Sequence, residues 1–87
     1  MNIQFIGPAL KAEDDGVIYL AHVDGKEVQC HFTYEAIEDI ESDNLQSDPI
    51  QQFEAHKLKL LSIAEAKILK GLVTNGVVSI FTNDIQV

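Results

Sequence analysis

The sequence predicts a single α+β domain, and three features support this. Two runs rich in β-branched and aromatic residues, "VIYLAHV" and "EVQCHF", flank an Asp-Gly pair, which is typical of a tight β-hairpin. A long helical pattern follows between a proline and a glycine, and "VVSIFT" forms a last strand. We therefore expect an antiparallel sheet, built from the 17–32 hairpin and strand 77–82, to pack against a short helix 34–41 and a long helix 49–70.

The N-terminal segment allows one further short strand. Three of its first six residues are large and apolar besides the initial Met, and Gly7-Pro8 should end the strand. The polar run "AEDD" then predicts a connection that Gly16 closes. Nothing along residues 1–87 indicates a second domain.

The Asp24-Gly25 turn fixes the register of the hairpin, because in a two-residue type I′ loop position i pairs with position 49 minus i. One face of the hairpin is then almost wholly apolar. On the other face each of the three pairs contains a polar residue, which suits a solvent-facing or thinly covered surface: His31 opposite Ile18, Gln29 opposite Leu20, and Glu27 opposite His22.

Capping signals predict the two helices. Thr33 is a suitable N-cap for helix 34–41. Helix 49–70 should begin at an Asp-Pro pair, with a Gln three residues after the Asp to complete a capping box, and should end at Gly71.

The long helix is apolar around more of its circumference than one small sheet can cover. Leu58 and Leu69 both lie outside its main apolar stripe, so the helix suggests a second contact surface.

The last strand should pair antiparallel with the hairpin, and Leu72 to Thr74 can form the first arm of a second hairpin about Asn75-Gly76. The predicted core consists of residues on the inner faces of these elements: Tyr19, Ala21, Val28, Cys30, Phe32, Ile37, Ile40, Phe53, Leu61, Ala64 and Ile80.

Composition argues against several classes of protein. The net charge is −8 and all six basic residues are lysines, which disfavours nucleic-acid binding because no guanidinium is present to contact phosphate or guanine. No apolar run approaches the roughly 18 residues of a membrane span, and no signal-peptide pattern is present. A single cysteine indicates a reducing, cytoplasmic setting.

The charge is also unevenly placed. No base lies between Lys26 and Lys57, a segment that supplies eight acids. This asymmetry can steer a basic partner or orient self-association, although a solvated acidic surface is the simpler explanation.

The ordered pattern of the chain resembles a known family. "VIYLAHVDGKEVQCHFTYEAIEDI", "FEAHKLKLLSIAEAKI" and "GVVSIFTNDI" together resemble the domain-of-unknown-function family 1488 (DUF1488), from about Gly16 to Ile85. The resemblance implies a small bacterial α+β domain with no established activity, so it provides no functional residues to transfer.

No reactive site emerges from the residue pattern. Cys30 and His31 are adjacent on a strand and point to opposite faces, so they cannot act as nucleophile and base without a bulge. His22 and His31 share a face but lie about 13 Å apart, too far to bind one metal ion. We therefore expect no catalytic residue, cofactor or metal.

Two functional hypotheses remain, and enzymatic activity is the less favoured. The first is a non-enzymatic interaction or accessory module, with a homodimer as its simplest form; an acidic mimic of nucleic acid is a distant variant. The second is a small ligand-binding or enzymatic domain that uses the polar face of the hairpin. The candidate surface residues for these two hypotheses are His22, Glu27, Gln29, His31, Leu58 and Leu69.

Overall fold

The computed structural model describes residues 2–39 and 49–85, and it shows a mixed α+β fold. Its elements, in chain order, are β1 (Ile3–Lys11), β2 (Val17–Val23), β3 (Lys26–Phe32), α1 (Tyr34–Asp39), α2 (Pro49–Ala55), α3 (Lys57–Leu69), β4 (Val77–Ile80) and α4 (Thr82–Ile85).

The central hairpin has the predicted register. Every pair from Val17 opposite Phe32 to Val23 opposite Lys26 is present. Asp24 and Gly25 have φ values of 52° and 86°, as the two loop residues of a type I′ turn require. Asp24 also binds the N-terminal strand, because its side chain accepts a hydrogen bond from the Asn2 N–H at 2.8 Å.

The strand order is β1-β2-β3-β4. β1 is longer than predicted and continues past Gly7-Pro8 to Lys11, pairing antiparallel with β2. The ladder shifts between Ile6 and Leu10, so the proline lies in an irregular stretch of an edge strand, where its missing N–H is tolerated.

The predicted direction of β4 is wrong. β4 pairs parallel with β3, Gln29 being opposite Val77 and Phe32 opposite Ile80. Adjacent parallel strands need a long crossover, and the helical segment between β3 and β4 provides it. The predicted turn at Asn75-Gly76 forms, but on its N-terminal side only Thr74 pairs with β4, in a single bridge to Val77.

Strand 77–82 also ends earlier than predicted. After Ile80 the chain turns into α4, whose first turn is capped by Asp84. The Asp84 carboxylate accepts the Phe81 N–H at 2.8 Å, so an acid at the third helical position satisfies the N-cap amide.

The predicted helix 49–70 is two helices. α2 ends at Ala55, and His56 (φ −123°, ψ 26°) precedes α3. An unbroken helix over this range would be roughly 31 Å long, longer than four strands are wide at about 4.8 Å spacing. The break lets α2 contact β1 and β2 while α3 contacts β4.

One face of the sheet forms the core with the helices. Phe53 of α2 is fully buried, with its ring centroid 5.4 Å from that of Tyr19 and 5.1 Å from that of Phe32. Thr33 caps α1 as predicted, accepting the Ala36 N–H at 3.2 Å. The predicted core residues in the described ranges are all buried. Ile40, residues 40–41 of the predicted short helix, and the Asp48 cap lie outside those ranges.

Candidate functional site

The helices and the buried core lie on one face of the sheet. The strand side chains that alternate with the buried ones form the opposite side, here called the open sheet face. Its members follow from the strand registers: Gln4, Ile6, Leu10, Ile18, Leu20, His22, Glu27, Gln29, His31, Val77 and Ser79.

The open sheet face is apolar where β1 pairs with β2. Ile6 and Leu20 are directly paired, and Leu10 is paired with Ile18. Ile6 and Leu10 are 40% and 50% exposed, which is high for large aliphatic side chains. Aliphatic contact area is therefore available on the side of the sheet away from the core.

A second apolar area lies at the β4 edge. A shallow groove of about 330 Å³ there is lined by Leu72, Val77, Ser79 and Phe81, among others. Leu72 and Phe81 are both more than half exposed. The polar β3 side chains of Glu27, Gln29 and His31 separate this area from the apolar pairs of β1 and β2, so the open sheet face has two apolar areas, one on β1–β2 and one at the β4 edge.

A second, larger groove of about 460 Å³ lies where the β1–β2 loop meets the open sheet face. Ile18 and Val77 supply its apolar lining, and Gln29 and His31 supply polar groups. From the loop, Asp14 brings a carboxylate within 3.2 Å of His31 Nε2. The groove is thus an open, amphipathic depression with one acid–imidazole pair.

The β1–β2 loop holds Asp14 in place. Asp14 Oδ1 accepts one hydrogen bond from the Gly16 N–H at 3.1 Å and a second one from His31 Nε2. These two bonds, the Gly16 amide first, lower the pKa of the Asp14 carboxyl below its ordinary value. Since an ionised carboxylate only accepts, His31 donates through Nε2, which fixes its tautomer.

Gly16 is essential to the geometry of this loop. A Cβ at this position would collide with the carbonyl oxygen of Phe32, so the backbone of the loop approaches β3 closely. That approach places Asp14 beside His31.

The predicted surface residues fall into separate places. Gln29 and His31 line the larger groove, whereas His22 and Glu27 pair with each other farther along the same face. Asp14 therefore joins two of the four predicted polar residues at one groove.

Leu58 and Leu69 are exposed on α3, at 86% and 57%. They lie 11 positions apart, about 16 Å along the helix axis, with exposed Ser62 and Glu65 between them. They are isolated side chains and do not form a continuous apolar patch.

Cys30 lies on the buried side of β3, as predicted. It is fully buried, and burial raises the pKa of its thiol to about 11. A thiol in this state is a poor nucleophile at neutral pH.

The outer edge of β4 is closed by the chain itself. Thr74 exchanges both backbone hydrogen bonds with Val77. Lys67 Nζ donates to the Ser79 carbonyl at 2.6 Å and to Asp84 at 2.8 Å. These contacts occupy backbone groups that would otherwise pair with another strand, so the open sheet face is more available for association than this edge.

Within 2–39 and 49–85, no group of three or more His, Cys, Asp or Glu side chains is placed to hold a metal ion. In the same ranges no helix has the length and apolar character to cross a membrane.

Comparison with known proteins identifies the family. The family described as "Protein of unknown function (DUF1488)" matches residues 3–79. The chain belongs to the DUF1488 family. A crystal structure of a DUF1488 protein of unknown function from Shewanella loihica PV-4 has a similar fold, with a TM-score of 0.80 and 16% sequence identity. The match covers 92% of this chain and 94% of that one. No curated protein matches the sequence.

Sequence reasoning missed several residues of this DUF1488 surface. Asp14 was placed in a polar connection, although an Asp two residues before a Gly is a common turn pattern that can orient a carboxylate. The exposed apolar residues were missed because they come from segments far apart in the chain: Ile6, Leu10, Leu72 and Phe81.

Proposed function

We propose that this DUF1488 chain is a non-enzymatic interaction module that self-associates through its open sheet face. The observation that supports this most is the exposed apolar surface on the side of the sheet away from the core, with Ile6 and Leu10 in the area on β1–β2 and Phe81 in the area beyond β4. Exposed apolar tracts of this kind mark contact surfaces in soluble proteins.

The distribution of charge favours a second copy as the partner. Each chain carries a net charge of −8, so two copies repel unless they meet where acids are sparse. Glu27 is the single formally charged residue among the strand positions of the open sheet face. Acids are frequent on α1, which lies on the other side of the sheet. A face-to-face dimer thus joins surfaces whose strand positions carry one formal charge each, with Glu13 and Asp14 at the rim.

The size of the surface predicts a weak dimer. Four strands of about six residues cover roughly 20 by 20 Å. Such an area is about half of the roughly 800 Å² that each partner buries in a standard interface, and Leu72 and Phe81 add to it. We expect reversible association with a Kd on the order of 10 μM.

The test is sedimentation velocity over a concentration series of the full chain. Leu10→Glu puts a charge into the apolar area on β1–β2 at a half-exposed position and should raise the Kd at least tenfold. Leu58→Glu makes the same chemical change on α3 and should leave the Kd unchanged. A chain that stays monomeric at millimolar concentration contradicts the proposal, as does a dimer that only the Leu58 variant disrupts.

A second candidate function is small-ligand binding in the larger groove. Its volume of about 460 Å³ lies within the range of ligand sites, and Asp14 orients His31 there. The groove lining contains no Ser, Thr or Cys nucleophile, so binding is a better fit than covalent catalysis. Saturable NMR shifts at His31 with a metabolite library, abolished by Asp14→Ala, would favour this function over self-association.

We place the protein in the cytoplasm as part of the same proposal. The single cysteine is buried and free, which is compatible with a reducing compartment. Fractionation of cells that produce the tagged chain tests this location, and recovery outside the cytoplasm would contradict it.

A further inference from the structure

The acids that border the open sheet face each lie close to a histidine. Glu27 is directly opposite His22 in the β2–β3 ladder. Asp14 accepts a hydrogen bond from His31 at 3.2 Å. Glu13 also lines the larger groove. The surface proposed to self-associate therefore carries two histidines, each beside a carboxylate.

The neighbours of each histidine determine how its protonation changes the charge of the face. His22 lies between Gln4 of β1 and Glu27 of β3. Glu27 is therefore the charged residue paired with His22 in the ladder, and a proton on His22 would offset the negative charge of that carboxylate.

His31 has a similar environment at the other end of the face. It lies between Ile18 of β2 and Ser79 of β4, with Asp14 and Glu13 reaching the same groove from the β1–β2 loop. A proton on His31 is thus placed next to a carboxylate that already accepts its hydrogen bond.

We propose that self-association strengthens as the pH falls from about 8 to about 6, because protonation of His22 and His31 cancels carboxylate charge on the open sheet face. This rests on the function proposed above. The reference pKa of a histidine side chain is about 6.5, which lies within this pH range.

The change in repulsion follows from counting charges. With neutral imidazoles the face and its rim carry three carboxylates, those of Glu13, Asp14 and Glu27. Two protonated histidines reduce the net charge from −3 to −1. Between two identical faces the repulsion scales with the product of the charges, so it falls about ninefold. Because such charges are partly exposed, the effect should be strongest at low salt.

The experiment measures the dimer Kd by sedimentation velocity at about pH 6, 7 and 8 in low salt. The wild-type Kd should be about tenfold lower at pH 6 than at pH 8. The double variant His22→Asn/His31→Asn should lose this dependence. His56→Asn, which removes a histidine at the α2–α3 junction, should retain it and so controls for overall charge.

A second double variant tests the direction of the pH effect by removing acids in place of histidines. Asp14→Asn/Glu27→Gln removes the carboxylates, so it should associate at pH 8 as tightly as the wild type does at pH 6. Circular dichroism at each pH verifies that every variant is folded.

The outcomes separate the two proposals. A dimer whose Kd is the same at pH 6 and pH 8 overturns the pH linkage alone. Loss of the pH dependence in the His56 variant, or its persistence in the double histidine variant, also overturns it by assigning the effect to overall charge. A chain that is monomeric at every pH overturns both proposals.

Discussion

The buried thiol of Cys30 makes the stability of the protein depend on alkaline pH. The side chain is fully buried on β3, and burial raises its pKa to about 11. In the unfolded chain the thiol ionises near its ordinary value of about 8.5 to 9. Raising the pH through this interval should therefore destabilise the fold.

The sign follows from proton linkage. Between the two pKa values the unfolded chain has released the proton that the folded chain retains, so the free energy of unfolding falls as the pH rises. Stability is fully present below about pH 8.5 and is lost as the pH approaches 11. With 1.36 kcal/mol for each pKa unit, the loss amounts to about 3 kcal/mol, a large part of the stability of a small domain.

Urea denaturation of the wild type and of Cys30→Ala, at several pH values from about 7 to 11, measures this contribution. The alanine variant should be less stable at pH 7 by about 1 to 2 kcal/mol, and the gap should close or reverse by pH 11. Tyrosines and lysines titrate in both proteins, so the difference between them isolates the thiol. Parallel curves for the two proteins across this range would refute the reasoning.

Three further substitutions probe other contacts. Gly16→Ala should destabilise the fold by about 2 kcal/mol or more in urea denaturation, because its Cβ collides with the Phe32 carbonyl. Lys67→Met removes the donor to Asp84 and should cost about 1 to 3 kcal/mol, with faster amide exchange in α4 as a direct readout. Thr33→Ala deletes the α1 cap and should cost about 1 kcal/mol by the same denaturation assay.

Matched changes control these predictions. Thr33→Ser keeps a capping hydroxyl and should be near neutral. Gly25→Ala adds a Cβ in open space at positive φ, so its cost comes from backbone conformation alone and should be below that of Gly16→Ala. Lys59→Met removes an exposed lysine of α3 and should leave α4 exchange unchanged. If a substitution and its matched control had equal effects, this result would contradict the contact assigned to the substituted residue.

Local signals in the sequence predicted the hairpin and most of the core. The Asp24-Gly25 turn and the alternation of the flanking strands point to one register, which the structure confirms at every pair. The prediction that Cys30 is buried followed directly, because the register assigns each residue to a face. In the same way Thr33 was identified as a cap from its position before an amphipathic helix.

The errors concern how elements meet. The direction of β4 depends on where the helical crossover returns the chain, and strand propensity alone is the same for either direction. The presence of helices between two neighbouring strands was the available signal, since a parallel pair requires such a connection. The break at His56 likewise follows from the limited width of the sheet and has no Pro or Gly to mark it.

The candidate site was predicted only in part. Gln29 and His31 were placed on the correct face, but their neighbour Asp14 was missed because it comes from the preceding loop. Leu58 and Leu69 are exposed, yet the larger apolar area lies on the sheet, where Leu10 is one of its members.

The sequence by itself determined the α+β class, the central hairpin with its register, and the separation of Cys30 from His31. These features depend on contacts within a strand, a turn or a helix end, where residue type and spacing suffice. The tertiary structure decided the parallel pairing of β4, the Asp14–His31 contact, and the side of the sheet without helices. Those features join segments distant in the chain, and their geometry depends on the packing of the whole domain because no local pattern specifies it.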